Sequence, residues 1–154
     1  MNTAPHNKFV RWSIGASKLP PISVVDDDES VGEAIKSLLA SLGFGVEVFN
    51  SAEDFLNSAR LTDTACLIAD VRMPGMNGLQ LQRFLNTAHC WIPIVFISAH
   101  DDGEARSRAL EGGAVDFLRK PFSEDALLSA IKCALETRGD VTEGSDQDRS
   151  DEVR

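Results

Sequence analysis

The chain has 154 residues, with 24 acidic against 15 basic side chains and 43% hydrophobic residues. That length holds one compact domain with tails, large enough to bury a real core. A formal charge of −9 opposes non-specific binding to nucleic acid or to an acidic membrane, since both repel a net anion. In chain order, residues 1–20 carry Lys8, Arg11 and Lys18 with no acid and have little periodicity, and they end at the stiff pair Pro20-Pro21. They read as a flexible N-terminal extension, with Phe9 and Trp12 its main apolar groups. Residues 21–25 form a buried-strand candidate that runs into Asp26-Asp27-Asp28. Val31, Ala34, Ile35, Leu38, Leu39 and Leu42 follow at helical spacing, with a capping box at Ser30 and Glu33 and a stop at Gly43. Phe44, Val46 and Val48 alternate as in a strand, and residues 51–60 read as a short helix.

Residues 65–69 are a wholly apolar strand ending at Asp70, followed by the turn-rich loop Met73-Pro74-Gly75-Met76-Asn77-Gly78. A helix is expected over 78–88, a strand over 93–97 leading to Ser98, and a polar fourth helix over 102–111 before Gly112-Gly113. A fifth strand over 114–118 precedes Lys120-Pro121, and the last helix over 123–136 is built on Leu127, Leu128, Ile131 and Leu135. Strict alternation of strand and helix calls for a parallel sheet covered on both faces, an α/β domain over residues 21–138. Residues 139–154 hold six acids, two arginines and few apolar groups, and they read as an acidic disordered tail.

Three cysteines, Cys66, Cys90 and Cys133, are widely spaced and make no CxxC pair, which fits neither a disulfide framework nor a zinc site. Reduced thiols in a cytoplasmic protein are the expectation, with Cys66 and Cys133 packed as small hydrophobes. No apolar run approaches the roughly 18 residues of a membrane span. Neither GxxxxGK nor GxGxxG follows the first strand, so nucleotide binding has no support. Of His6, His89 and His100, only His100 lies near a strand end that carries chemistry.

In an open α/β sheet, ligands sit at the carboxyl ends of the strands. Those ends deliver Asp26 and Asp27, Asp70, Ser98 and Lys120. Three carboxylates on one rim repel, and a hard divalent cation such as Mg2+ removes the repulsion while leaving positions for phosphate oxygens. Lys120 adds a positive charge and Ser98 a hydroxyl donor. This is the equipment for transferring a phosphoryl group to a carboxylate. Asp70, alone at its strand end, is the better acceptor; Asp26 and Asp27, as a pair, are the better metal ligands.

These residues match a family. Val24-Val25-Asp26-Asp27, the run Ala69–Gly78, Phe96-Ile97-Ser98-Ala99 and the run Gly113–Phe122 resemble the receiver domain of bacterial two-component response regulators, a CheY-like domain. The wording is nearest to receivers of the FixJ/NarL type, which precede a helix-turn-helix domain. The resemblance implies a flavodoxin-like, doubly wound (βα)5 sandwich with strand order 2-1-3-4-5. It also implies that Asp70 accepts a phosphoryl group from a sensor histidine kinase or a histidine phosphotransfer protein. Asp26, Asp27, Asp70 and the backbone carbonyl of Arg72 would hold Mg2+. Lys120 and Ser98 would bind the phosphoryl oxygens, and a cis Lys120-Pro121 bond is expected. Ser98 and Phe117 would form the switch, although Phe117 lacks the tyrosine hydroxyl of many members and is first a core aromatic. Arg72 and His100, each two residues beyond a site residue, would modulate phosphoryl lifetime.

The expected output is a protein–protein surface around the fourth helix, fifth strand and fifth helix, with homodimerisation through that face as one form. The chain is expected to be a stand-alone cytoplasmic regulator that catalyses only its own phosphorylation and dephosphorylation and does not itself bind DNA. The alternative is the receiver of a longer DNA-binding transcriptional regulator. A rival of another class is a Mg2+-dependent phosphatase with an aspartyl nucleophile. Such enzymes place a second acid two residues after the nucleophile, where this chain has Arg72.

Overall fold

The computed structural model describes residues 19–100 and 103–144. The expected N-terminal extension before Leu19 and the tail beyond Gly144 lie outside the described residues. Strands β1 (Leu19–Val25), β2 (Phe44–Phe49), β3 (Cys66–Asp70), β4 (Ile94–Ser98) and β5 (Asp116–Arg119) form one parallel sheet in the order β2-β1-β3-β4-β5. Between and after them run helices α1 (Glu29–Ser41), α2 (Ala52–Leu56), α3 (Gly78–Thr87), α4 (Gly103–Glu111) and α5 (Glu124–Gly144), plus a 3-10 turn over Ala59–Thr62. The fold class and strand order are those expected.

Alternation along each strand splits the core in two, because successive side chains leave a sheet on opposite faces. Ile22, Val24, Cys66, Ile68, Val95 and Ile97 meet Ile35 and Leu39 of α1 and Leu127 and Ile131 of α5. Val25, Leu67, Ala69, Ile94 and Phe96 meet Phe55 of α2, Leu81 and Leu85 of α3, and Ala105 and Ala109 of α4. With both faces of the central strands β1, β3 and β4 buried, their carboxyl ends are held in a fixed place. Among the described residues, no helix is long and apolar enough to cross a membrane.

Several boundaries differ from the sequence expectation for identifiable reasons. β1 begins at Leu19, across the proline pair, with a register shift between Leu19 and Pro21. Proline has no N–H for a ladder and is tolerated at such an irregular start. Helix α1 is capped by Asp28, not Ser30: the Asp28 carboxylate accepts the Ser30 N–H at 3.0 Å and the Ser30 hydroxyl at 2.7 Å. Those bonds hold the Asp28 carboxyl below the usual carboxylate range. At the other end Gly43 takes φ +99°, the left-handed turn that ends the helix. The helix expected over 51–60 is broken after Leu56. There Ser58 donates to the Phe55 carbonyl and accepts the Arg60 N–H, offering the backbone an alternative to a further helical turn. β5 starts at Asp116 and not 114, because the Ala114 N–H is used to close α4 on Ala109. The last helix passes the expected end at Glu136 and continues through Gly144, into the segment read as a disordered tail.

Cys66 is fully buried in β3, whereas Cys133 is exposed, against the expectation that both pack inside. Its place on α5 turns it away from the row formed by Leu127, Ala130, Ile131, Ala134 and Leu135. Burial pushes the Cys66 thiol up to about 12, and only the thiolate reacts readily. Iodoacetamide applied to the folded protein in mildly alkaline buffer is therefore expected to alkylate Cys133 and spare Cys66. Peptide mass mapping checks this, with Cys66 labelled only after denaturation.

Candidate functional site

Asp26 follows β1 and is completely buried; its Oδ1 accepts the Asp28 N–H at 2.9 Å, and its own N–H donates to the Phe49 carbonyl at 3.0 Å. Asp70 ends β3, where Oδ1 accepts the Arg72 N–H at 3.2 Å. Lys120 follows β5, its N–H bound to the Ser98 carbonyl at 2.7 Å and its bond to Pro121 cis, as expected. From there the Lys120 Nζ donates to Asp26 Oδ2 at 3.1 Å and to Asp70 Oδ2 at 3.3 Å. Asp27 is exposed at the mouth, and Asp26, Asp27 and Asp70 each offer an oxygen within 4.8 Å of the others. Four of the residues expected to act together thus meet at one edge of the sheet.

Burial, and then the charge of Asp26, push the Asp70 carboxyl up to about 6, against the pull of Lys120. Burial opposes the Lys120 ammonium, but its hydrogen bond to Asp26 and the charges of both carboxylates outweigh that and raise it. Lys120 is therefore charged and Asp70 is ionised at neutral pH, though reluctantly. One ammonium does not balance three carboxylates. The residual negative charge and an all-oxygen donor set fit a hard divalent cation and suit neither a thiolate- nor an imidazole-seeking metal.

Ser98 ends β4, buried, with its hydroxyl on the backbone of His100: it accepts the His100 N–H at 3.1 Å and lies 3.2 Å from the His100 carbonyl. Phe117 is buried in β5, its ring 6.4 Å from that of Phe96. The Arg72 and His100 side chains are exposed around the mouth.

Residues 22–132 match the family model of the response regulator receiver domain. The chain belongs to the response regulator receiver family. Response regulator protein TodT of Pseudomonas putida is 50% identical over 114 residues, 74% of this chain and 50% of TodT. Nodulation protein W of Bradyrhizobium diazoefficiens is 43% identical over 121 residues, 79% of this chain and 53% of that protein. Among solved structures, the response regulator StyR is 43% identical with a TM-score of 0.75, covering 85% of this chain and 67% of StyR. The N-terminal part of FixJ is 37% identical with a TM-score of 0.69, covering 76% of this chain and 94% of that structure. The receiver spans about half the length of TodT and of nodulation protein W.

The roles of three residues of this receiver escaped the sequence reading. Gly78 opens α3 directly behind the acidic site: a Cβ there would lie 2.4 Å from the Asp70 carbonyl oxygen and 3.0 Å from the Phe96 ring. A glycine at the first turn of a helix after a rich loop is a visible signal of close approach. Glu53 of α2 accepts the Met76 N–H at 3.1 Å and so braces the loop that follows Asp70. Arg106 of α4 donates to the Phe117 carbonyl at 3.1 Å, with its guanidinium 5.8 Å from the centroid of that ring. Nothing in sequence spacing marks the last two, because each reaches between separate elements.

Proposed function

We propose that this receiver takes a phosphoryl group on Asp70 from the phosphohistidine of a sensor histidine kinase or phosphotransfer protein, in a Mg2+-dependent reaction. The observation that carries this reading is the Lys120 ammonium bridging Asp26 and Asp70 inside a cluster of three carboxylates. Asp27, Asp70 and the Arg72 carbonyl, with Asp26, would hold Mg2+, which when bound neutralises charge on the phosphoryl oxygens. Asp70, ionised at neutral pH, supplies the attacking oxygen. Its bond to phosphorus forms as the phosphorus–nitrogen bond of the donor breaks, and the imidazole nitrogen keeps the electron pair. Lys120 Nζ moves its hydrogen bonds from the carboxylates to the arriving phosphoryl oxygens. The Ser98 hydroxyl leaves the His100 backbone to donate to the same group.

The phosphoryl group carries about −1.5 to −2, and the Asp70 carboxylate charge is consumed in forming the acyl phosphate. The site therefore gains about one negative charge, now spread over phosphoryl oxygens. This biases the surface around α4, β5 and α5, where a downstream protein or a second receiver binds. Arg72 and His100, each two residues beyond a site residue and exposed, would meet attacking water and so set the lifetime of the acyl phosphate. The protein is thus a signalling module of the cytoplasm and turns over no external substrate. Two outputs, a surface of the receiver itself and a DNA-binding domain joined to it, are separated by the mass of the natural protein.

The test is incubation with Mg2+ and acetyl phosphate, read by intact mass. The wild-type protein is expected to gain one phosphoryl group, and Asp70→Asn or metal-free protein none. Equal labelling of wild type and Asp70→Asn would overturn the assignment of the acceptor.

A further inference from the structure

Helix α4 is held in an unusual way for a helix of this sheet. It buries only Ala105 and Ala109, so little apolar area fixes its position, and directional bonds must do so. Its C-terminal end is pinned from α3: Gln82 Nε2 donates to the Ala109 carbonyl at 2.9 Å and Asn86 Nδ2 to the Gly112 carbonyl at 3.0 Å. Further along, Arg106 reaches β5, donating to the Phe117 carbonyl at 3.1 Å while its guanidinium faces the Phe117 ring at 5.8 Å. A phenylalanine has no hydroxyl to anchor its ring tip, so its position is held by apolar packing, Phe96 included, and by the cation on its face. Packing continues to the acidic site, since Phe96 lies against both Phe117 and Gly78, and Gly78 backs the Asp70 carbonyl.

We propose that Arg106 is a positioning residue that latches Phe117 inward and couples the pose of α4 to the state of Asp70. The proposal rests on the phosphoacceptor reading above, together with the packing that joins the buried Phe117 through Phe96 to Gly78 and the Asp70 carbonyl. Among the described residues, Arg106 bonds to Phe117 and to none of Asp26, Asp27, Asp70, Ser98 and Lys120. It acts by favouring the ring position with which the loaded site is compatible, and by tying α4 to that ring. Removing the latch lets Phe117 leave and α4 swing about its Gln82 and Asn86 pins. A ligand at Asp70 must then restore the inward arrangement, and its apparent affinity falls by the fraction of molecules so arranged.

The experiment is calorimetric titration of the whole chain with beryllofluoride, a phosphoryl mimic, in saturating Mg2+. Arg106→Ala is expected to bind it at least about fivefold more weakly than wild type, the lower end of ordinary coupling between sites. Arg106→Lys, which keeps a cation near the ring, should recover part of that loss. Mg2+ affinity measured alone should be unchanged in both variants, a split that general loss of fold would not produce. Hydrogen exchange should show faster exchange in residues 103–109 of Arg106→Ala, with α1 unaffected. Equal beryllofluoride affinity in wild type and both variants would overturn the latch, as would parallel loss of Mg2+ and beryllofluoride binding. Failure of the wild type itself to bind beryllofluoride would instead overturn the phosphoacceptor reading, so the two failures are distinguishable. Should Arg106→Ala not fold, Arg106→Lys and Arg106→Gln carry the same comparison.

Discussion

In metal-free buffer near neutral pH, Asp70→Asn is expected to melt about 3–6 °C above the wild-type protein. The reason is that folding raises the Asp70 carboxyl from 3.8 to about 6, with burial and then Asp26 as causes. The folded protein holds the Asp70 proton more tightly than the unfolded chain does. Its contribution to stability is complete below the unfolded value of 3.8 and is lost as pH rises through about 6. At neutral pH the ionised carboxylate is therefore a cost of folding, and a neutral amide of the same shape removes it. A shift of this size corresponds to a ceiling of roughly 3 kcal/mol, discounted to about 1–2 kcal/mol because solvent reaches the rim. The advantage of the variant should vanish in acid, where both side chains are neutral. Added Mg2+ should reverse the order near neutral pH, because it stabilises whichever form binds it. Differential scanning calorimetry across pH, with and without Mg2+, checks all three statements. A metal-free Asp70→Asn that melts below wild type at neutral pH would contradict the electrostatic account.

Gly78→Ala is expected to destabilise the receiver by at least about 2 kcal/mol, because overpacking against fixed atoms has no cheap relief. Its Cβ would meet the Asp70 carbonyl oxygen at 2.4 Å, and the Phe96 ring at 3.0 Å blocks movement to the side. The Gly78 N–H is itself bound to the Val71 carbonyl at 3.0 Å, so backing away breaks that bond and drags the residue after Asp70. Loss of Mg2+ affinity should accompany the loss of stability. Gly103→Ala is the control: a Cβ there meets nothing within 4 Å, and stability should stay within about 0.5 kcal/mol of wild type. Urea denaturation with a Mg2+ titration compares the two, and a Gly78→Ala as stable as Gly103→Ala would refute the close-approach argument.

The carboxyl-edge constellation was readable from sequence because β1, β3 and β4 are short, largely apolar and run into Asp26, Asp70 and Ser98, with Lys120 just after β5, so parallel pairing alone brings the ends together. Asp26, Asp70, Ser98 and Lys120 needed no knowledge of side-chain direction beyond that. What stayed hidden depends on contacts between separate elements. That Lys120 bridges Asp26 and Asp70 cannot be told from spacing, nor can Glu53 bracing the Met76 N–H or Arg106 reaching Phe117. Local competition also misled: Asp28 out-competes Ser30 for the cap of α1, and Ser58 breaks what apolar spacing read as one helix. In each case a short polar side chain decided the backbone, a contribution that hydrophobic periodicity does not register.

The most direct measurement of the account locates the phosphoryl group chemically. Protein treated with acetyl phosphate and Mg2+ is reduced with borohydride, which converts an aspartyl phosphate to homoserine, and its peptides are sequenced by mass spectrometry. Homoserine at position 70 and nowhere else is the expected result. Homoserine at position 26 or 27, or phosphate recovered on a histidine, would contradict it.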